Sequence, residues 1–209
     1  MSAHAWVSNV LSDVELILMF NADIVKEGGD VSADYLTDLR FGRPVPPEGC
    51  PKEVWADREY SQVKDGATLP PVFIANGYIV VGEEAADILR RYDVGQGALY
   101  PVRVLQRDRQ TPFPGIWFCW VFGNVKDTLN SERSVNLRRF SPVPASRRQK
   151  LATDPQDNDV ALSGEALNGP DVWLEERLIK PVCLSGPLGD ALQAAGLAKV
   201  FRMTRARVV

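Results

Sequence analysis

The chain has 209 residues, 45% of them hydrophobic and 24% charged, with a formal net charge of −3. That length supports a real core in one large domain or two small lobes, and the balance excludes a chain that is disordered throughout. So mild an acidity also argues against a dedicated nucleic-acid binder, whose surface is normally strongly basic.

The one histidine, His4, lies near a terminus expected to fray. Histidine is the commonest general base and a frequent metal ligand. Without a placed one, Ser–His–Asp, Cys–His and histidine-based zinc sites are not predicted. The apolar run "VELILMF" (14–20) reads as a buried strand or short helix. It carries Glu15, is too short to span a bilayer and lacks a signal-peptide layout. Cys50, Cys119 and Cys183 form no close pair in sequence and no zinc spacing, so a reducing compartment is the simpler reading. These features predict a soluble, cytoplasmic protein.

"SADYLTDLRFG" (32–42) predicts a short amphipathic helix, with Ser32 as cap, Tyr35, Leu36 and Leu39 on one face, and Gly42 as the stop. "RPVPPEGCPKE" (43–53) is a proline-rich loop, in which Cys50 reads as the more exposed thiol. "LPPVFIANGYIVV" (69–81) gives two strands around an Asn76–Gly77 turn. "LYPVRVLQR" (99–107) alternates like a strand, and "DRQTPFPG" (108–115) is a turn. "IWFCWVFGNV" (116–125), aromatic on both faces, predicts a central strand buried on both sides. Cys119 and Cys183 read as inert core thiols, and Trp117, Trp120 and Trp173 as core.

One pattern occurs twice. With Gly82 as a helix cap, apolar residues fall at Ala85, Ile88, Leu89 and Tyr92; with Ser185 as cap they fall at Leu188, Ala191, Leu192 and Ala195. The offsets are the same, and each helix has a strand before it and after it. Two such strand–helix–strand units, about a hundred residues apart, need their shared apolar face to cover a sheet. Glu83 and Glu84 then answer the positive end of the helix dipole and Arg90 and Arg91 the negative end, each placement contributing about 0.3–1 kcal/mol. This accounts for the two glutamates without a catalytic pair. "GQGALY" (95–100) follows the helix instead of opening it, so it is no dinucleotide loop. Gly95 and Gly97 are expected to supply positive φ in the exit turn.

"IVVGEEAADILRRYDVGQGALYPVRVL" (79–105), "WFCWVFGNVKDTLNSERS" (117–134) and "GPDVWLEERLIKPVCLSGPLGDALQAAGLAKVFRMTRARVV" (169–209) resemble, in order and spacing, the Imm11 (DUF1629) family of predicted immunity proteins. The resemblance covers most of residues 35–209, with Gly82 a departure where a serine cap is expected. It implies a protein of a bacterial polymorphic-toxin system that protects the producing cell by binding a cognate toxin. It brings no catalytic residue set.

Three polar stretches remain. "DPQDND" (154–159), aligned as a calcium loop, has Gln156 at position three and Asp159 where glycine is needed, so it reads as a solvated acidic loop. "RRFSPVPASRRQK" (138–150) is basic, but Phe140 is its only aromatic, so direct nucleic-acid binding is not expected. Asn124, Asp127, Ser131, Glu132 and Ser134 suit turns and caps better than a site.

The expectation is an α+β fold: a mixed, mainly antiparallel sheet with packed helices, containing the two similar units. They form a single domain 1–209, or two lobes, 1–140 and 159–209, joined by 141–158. The expected function is that of a non-enzymatic immunity protein, with no catalytic, metal or cofactor residue assigned and no membrane contact. If the toxin is a basic nuclease, charge sign selects Asp154, Asp157, Asp159, Asp171, Glu175 and Glu176 as its contacts. An enzyme using carboxylates or serine and a regulatory peptide-binding module are the alternatives, and a homo-oligomer stays open.

Overall fold

The computed structural model describes residues 3–24, 31–140 and 148–209, with backbone alone for 31–34. The Ser32 cap therefore falls outside the described side chains. Residues 141–147 of the basic stretch and of the expected connecting segment fall outside the described residues.

The elements in chain order are β1 (His4–Ser8), β2 (Ile17–Leu18), β3 (Phe20–Ala22), α1 (Val31–Arg40), β4 (Glu53–Ala56), β5 (Val72–Ala75), β6 (Tyr78–Gly82), α2 (Glu83–Leu89), β7 (Ala98–Leu105) and β8 (Trp117–Val121). Then follow β9 (Val125–Lys126), β10 (Arg138–Arg139), β11 (Gln149–Lys150), β12 (Ala161–Leu162), β13 (Val172–Glu175), β14 (Val182–Ser185), α3 (Gly186–Ala194) and β15 (Met203–Val208). The fold is α+β, with two mixed sheets instead of the one expected. One runs β2–β5–β6–β8–β7–β4–β3 and the other β9–β13–β14–β1–β15–β12, while β10 and β11 form a separate ribbon. No helix among the described residues is long and apolar enough to cross a membrane.

Local chemistry explains the elements. Asn76 (φ 49°) and Gly77 (φ 86°) both take positive φ, as the tight turn joining β5 to β6 requires. β8 is buried at every residue and lies inside its sheet between β6 and β7. The run 14–20 is neither a strand nor a helix alone: a single 3-10 turn, Val14–Leu16, gives way to β2 and then β3. α2 stops at Leu89, so Arg90 and Arg91 lie beyond its last turn. Arg90 instead pairs with Asp87 at 2.8 Å and sits 4.2 Å from the Phe118 ring centre. Gly95 does take positive φ (57°), whereas Gly97 is required by close approach: a Cβ there would lie 2.6 Å from the Phe122 carbonyl oxygen.

The two sheets match strand for strand. β2, β5, β6, β8, β7 and β4 correspond to β9, β13, β14, β1, β15 and β12, with the same parallel or antiparallel sense at every pairing. Register matches too. Val81 lies between Val72 and Phe118, as Leu184 lies between Val172 and Trp6. Ile17 opposes Ile74 as Val125 opposes Leu174, and Val54 opposes Val104 as Leu162 opposes Val208.

Residues 4–105 and 117–208 thus have one layout, except that each gives its first strand to the other. β1 fills the slot between β14 and β15, and β8 fills the slot between β6 and β7. Residues 4–8, expected to fray, instead form an interior strand in which His4 pairs with Arg207 of β15. The sheets also do not divide the chain at 141–158, because β1 and β9 belong with the C-terminal strands.

The largest apolar cluster takes residues from both sheets and both helices, including Val81, Leu89 and Phe118 from one side and Leu184, Leu188 and Trp6 from the other. Each such side chain, fully buried, contributes roughly 1.5–3 kcal/mol. The halves differ in one matched pair. Ala86 on α2 lies in the same cluster as Phe118; Gly189, its counterpart on α3, faces the larger Trp6, and a Cβ at 189 would lie 2.0 Å from the indole.

Candidate functional site

Of the six carboxylates selected by charge, the structure commits several to internal bonds. Asp159 is buried and accepts from Asn136 Nδ2 at 2.8 Å and the Gln156 N–H at 2.9 Å. Glu175 is buried and accepts from the N–H and hydroxyl of Thr128 at 2.9 and 2.7 Å. Burial pushes its carboxyl above the ordinary glutamate range, although these hydrogen bonds oppose the shift. Both carboxylates are spent on internal bonds: Glu175 ties the Thr128 loop to β13, and Asp159 ties its own loop to the segment before β10. Asp171, half-buried, accepts from the Asp93 N–H at 2.8 Å, and Asp157, exposed, from the Arg205 N–H at 2.8 Å. Asp154 and Glu176 are exposed.

The polar stretch after β8 works mainly as structure. Asn124 Nδ2 lies within 2.7–3.0 Å of the carbonyls of Val94, Phe122 and Val172, and its Oδ1 accepts from the Gln96 N–H at 3.0 Å. Ser134 Oγ donates to the Asn130 carbonyl at 2.8 Å. Lys126 Nζ donates to the carbonyls of Asn168 and Pro170 at 2.7 and 2.8 Å and lies 4.0 Å from the Trp173 ring centre. Burial lowers its pKa, with nearby Asp171 working the other way.

Cys50 is buried, not exposed, and packs in one cluster with Tyr78 and Cys119. The Cys119 thiol is pushed well up by its hydrogen bond with Cys50 and by burial, which makes it a poor nucleophile. His4 is held against Asp190 at 3.0 Å, and the same carboxylate accepts from Trp6 Nε1 at 3.0 Å. Among the described residues, no group of three His, Cys, Asp or Glu side chains is placed to hold a metal ion.

Two clefts remain. One, of 470 Å3, lies where β1 leads into β2 and is lined by Asp13, Glu15, Asp154, Lys199 and Arg202. Arg202 is committed there, pairing with Asp13 at 2.5 Å and Glu15 at 2.7 Å. The other, of 350 Å3, lies at the β9 edge and is lined by Arg40, Phe41, Val125, Asp127, Arg148, Glu175, Glu176, Arg177 and Lys180. Arg177 pairs with Asp127 at 2.5 Å and donates to the Leu129 carbonyl. The Arg148 guanidinium carbon lies 5.6 Å from the Phe41 ring centre. Of this second group only Glu175 and Glu176 were selected from sequence. The cations come from separate segments that no local pattern groups; the one local signal is Phe41, a phenylalanine next to the stop in "DLRFG".

No model of a known protein family matches the chain, and no curated protein matches it.

Proposed function

We propose that the chain is an immunity protein that binds and neutralises a cognate bacterial toxin in the cytoplasm of the producing cell, acting by occupancy and without chemistry of its own. The reading rests on the resemblance to the Imm11 family, and one observation supports carrying it across the whole chain. The three resembling blocks supply β6–α2–β7, β8–β9 and β13–β14–α3–β15, which are seven of the twelve matched strands and the two matched helices. Family likeness in those blocks is likeness in scaffold. Recognition then falls to what the scaffold holds outward: the two clefts and the exposed carboxylates Asp154, Asp157 and Glu176. Interfaces of this kind gain partner choice and on-rate from charge, and affinity from a few buried anchors.

Co-expression with a toxin encoded beside this chain tests the reading. Growth rescue together with co-purification of the two proteins is the expected result. A toxin that still kills, with no complex recovered, overturns it.

A further inference from the structure

We propose that the cleft at the β9 edge docks an acidic peptide segment of a protein partner, its carboxylates taken by Arg40, Arg148 and Lys180 and a neighbouring apolar side chain by Phe41 and Val125. The proposal relies on the toxin-binding reading only for the partner's identity; the ligand chemistry stands on the cleft itself.

The three cations come from distant parts of the chain. Arg40 ends α1, Arg148 precedes β11, and Lys180 stands in the β13–β14 connection at φ 68°. None of the three has a carboxylate within ion-pair distance among the described residues, whereas Arg43, Arg90, Arg103, Arg107, Arg177 and Arg202 each have one. The carboxylates nearby do not balance them. Asp127 is held by Arg177, and Glu175 is turned inward onto Thr128. The Glu176 carboxylate alone is uncommitted, and Arg148 Nε donates to the Glu176 backbone carbonyl at 3.3 Å, so among the described residues three cations without a carboxylate partner face one free carboxylate. Converging like charges repel, and an anionic group relieves the repulsion.

The shape of the site selects the class of anion. Phe41 and Val125 are 47% and 45% exposed at its wall, which gives an apolar side chain a place beside the charged one. At 350 Å3 the cleft is at the small end for ligand sites, which run about 300–1,000 Å3. A guanidinium can hold a carboxylate through paired hydrogen bonds. A polyanion that tracks a surface needs a basic stripe, whereas this cleft is compact, carries Glu176 at its rim and belongs to a chain of net charge −3.

The test uses the full chain and a fluorescein-labelled hexapeptide of alternating glutamate and leucine, read by fluorescence anisotropy at low salt. A lysine–leucine hexapeptide and a single-stranded oligonucleotide are the comparison probes. Saturable binding of the acidic peptide is expected, weakened roughly tenfold or more in Arg40→Ala/Lys180→Ala. Lys52→Ala/Arg91→Ala, with the same change of net charge elsewhere, should bind within about twofold of the parent; thermal melts confirm that both variants fold. No saturable binding of the acidic peptide, equal weakening in both variants, or tighter binding of the oligonucleotide overturns the proposal. Growth rescue separates it from the broader reading. Peptide binding without rescue by the parent chain sinks the immunity assignment alone; rescue by parent and cleft variant alike, without peptide binding, sinks the cleft alone.

Discussion

The chain crosses between the sheets twice, at equivalent places, and the two crossings are sealed differently. Between β8 and β9, Asn124 gathers carbonyls from three segments, and Asp171 exchanges backbone and side-chain bonds with Asp93 beyond α2. Between β1 and β2 the matching positions are Leu16 for Asn124, Pro71 for Asp171 and Gly196 for Asp93. Leucine cannot bond carbonyls, and proline has neither the N–H nor the carboxylate that Asp171 uses; Asp93 gives that exchange only backbone atoms, which Gly196 also has. The second crossing is left as an open recess lined by Leu16, Pro71, Gly196 and Arg202. One backbone plan therefore supports a welded junction or an open one, and the residues at two positions decide which.

The same strand-by-strand matching ranks the ways to break it. Gly189→Ala should be the most damaging, because the new Cβ would meet Trp6 at 2.0 Å; a loss of about 3 kcal/mol in urea unfolding is expected. The matching positions of the other half are Ala86 and Phe118, in one cluster, so adding Trp6→Phe should recover most of that loss in a double-mutant cycle. Asn124→Leu, which copies the open junction into the welded one, should cost about 2 kcal/mol by leaving buried carbonyls unpaired, with the same readout.

Glu175 sharpens the contrast by pH, since its counterpart in the first sheet is Ala75. Its carboxyl is raised by burial, so the folded chain keeps this proton at pH values where the unfolded chain has lost it. The contribution to stability is full below the ordinary glutamate pKa and is lost as pH rises through the raised value. Glu175→Gln should remove that decline and flatten the stability profile from mildly acidic to neutral pH. An unchanged profile in urea unfolding across that range counts against an ionising Glu175. The smallest effect belongs to Gly82→Ser. Gly82 caps α2 without a side-chain bond, whereas Ser185 Oγ accepts from the Leu188 N–H at 3.4 Å. A Cβ at 82 meets only ordinary contacts, so a gain of a few tenths of a kcal/mol is expected by thermal melting.

What was legible in the sequence was whatever local pattern controls. Cap offsets gave the two helices, Asn76–Gly77 gave the hairpin, and the aromatic run gave β8. The exchange of first strands was not legible. "HAWVS" is a five-residue strand whose partners lie near the other end of the chain, and nothing local encodes that. The candidate site was readable only in fragments. Glu175 and Glu176 stand side by side in "WLEE", and only the end of β13 at Glu175 decides that the first is buried and the second exposed. Arg40, Arg148 and Lys180 acquire meaning by convergence, which single charges in loops do not announce.

The pairing of His4 with Arg207 has a consequence for chain order. β7 and β8 are joined by the loop 106–116, and β15 and β1 form the same antiparallel pair without that loop. Bridging Val209 to the start of β1 with a short peptide while opening the backbone within 106–116 would keep every strand pairing, with the second half synthesised first. To this fold the two antiparallel pairs are equivalent seams, and either can carry the connection.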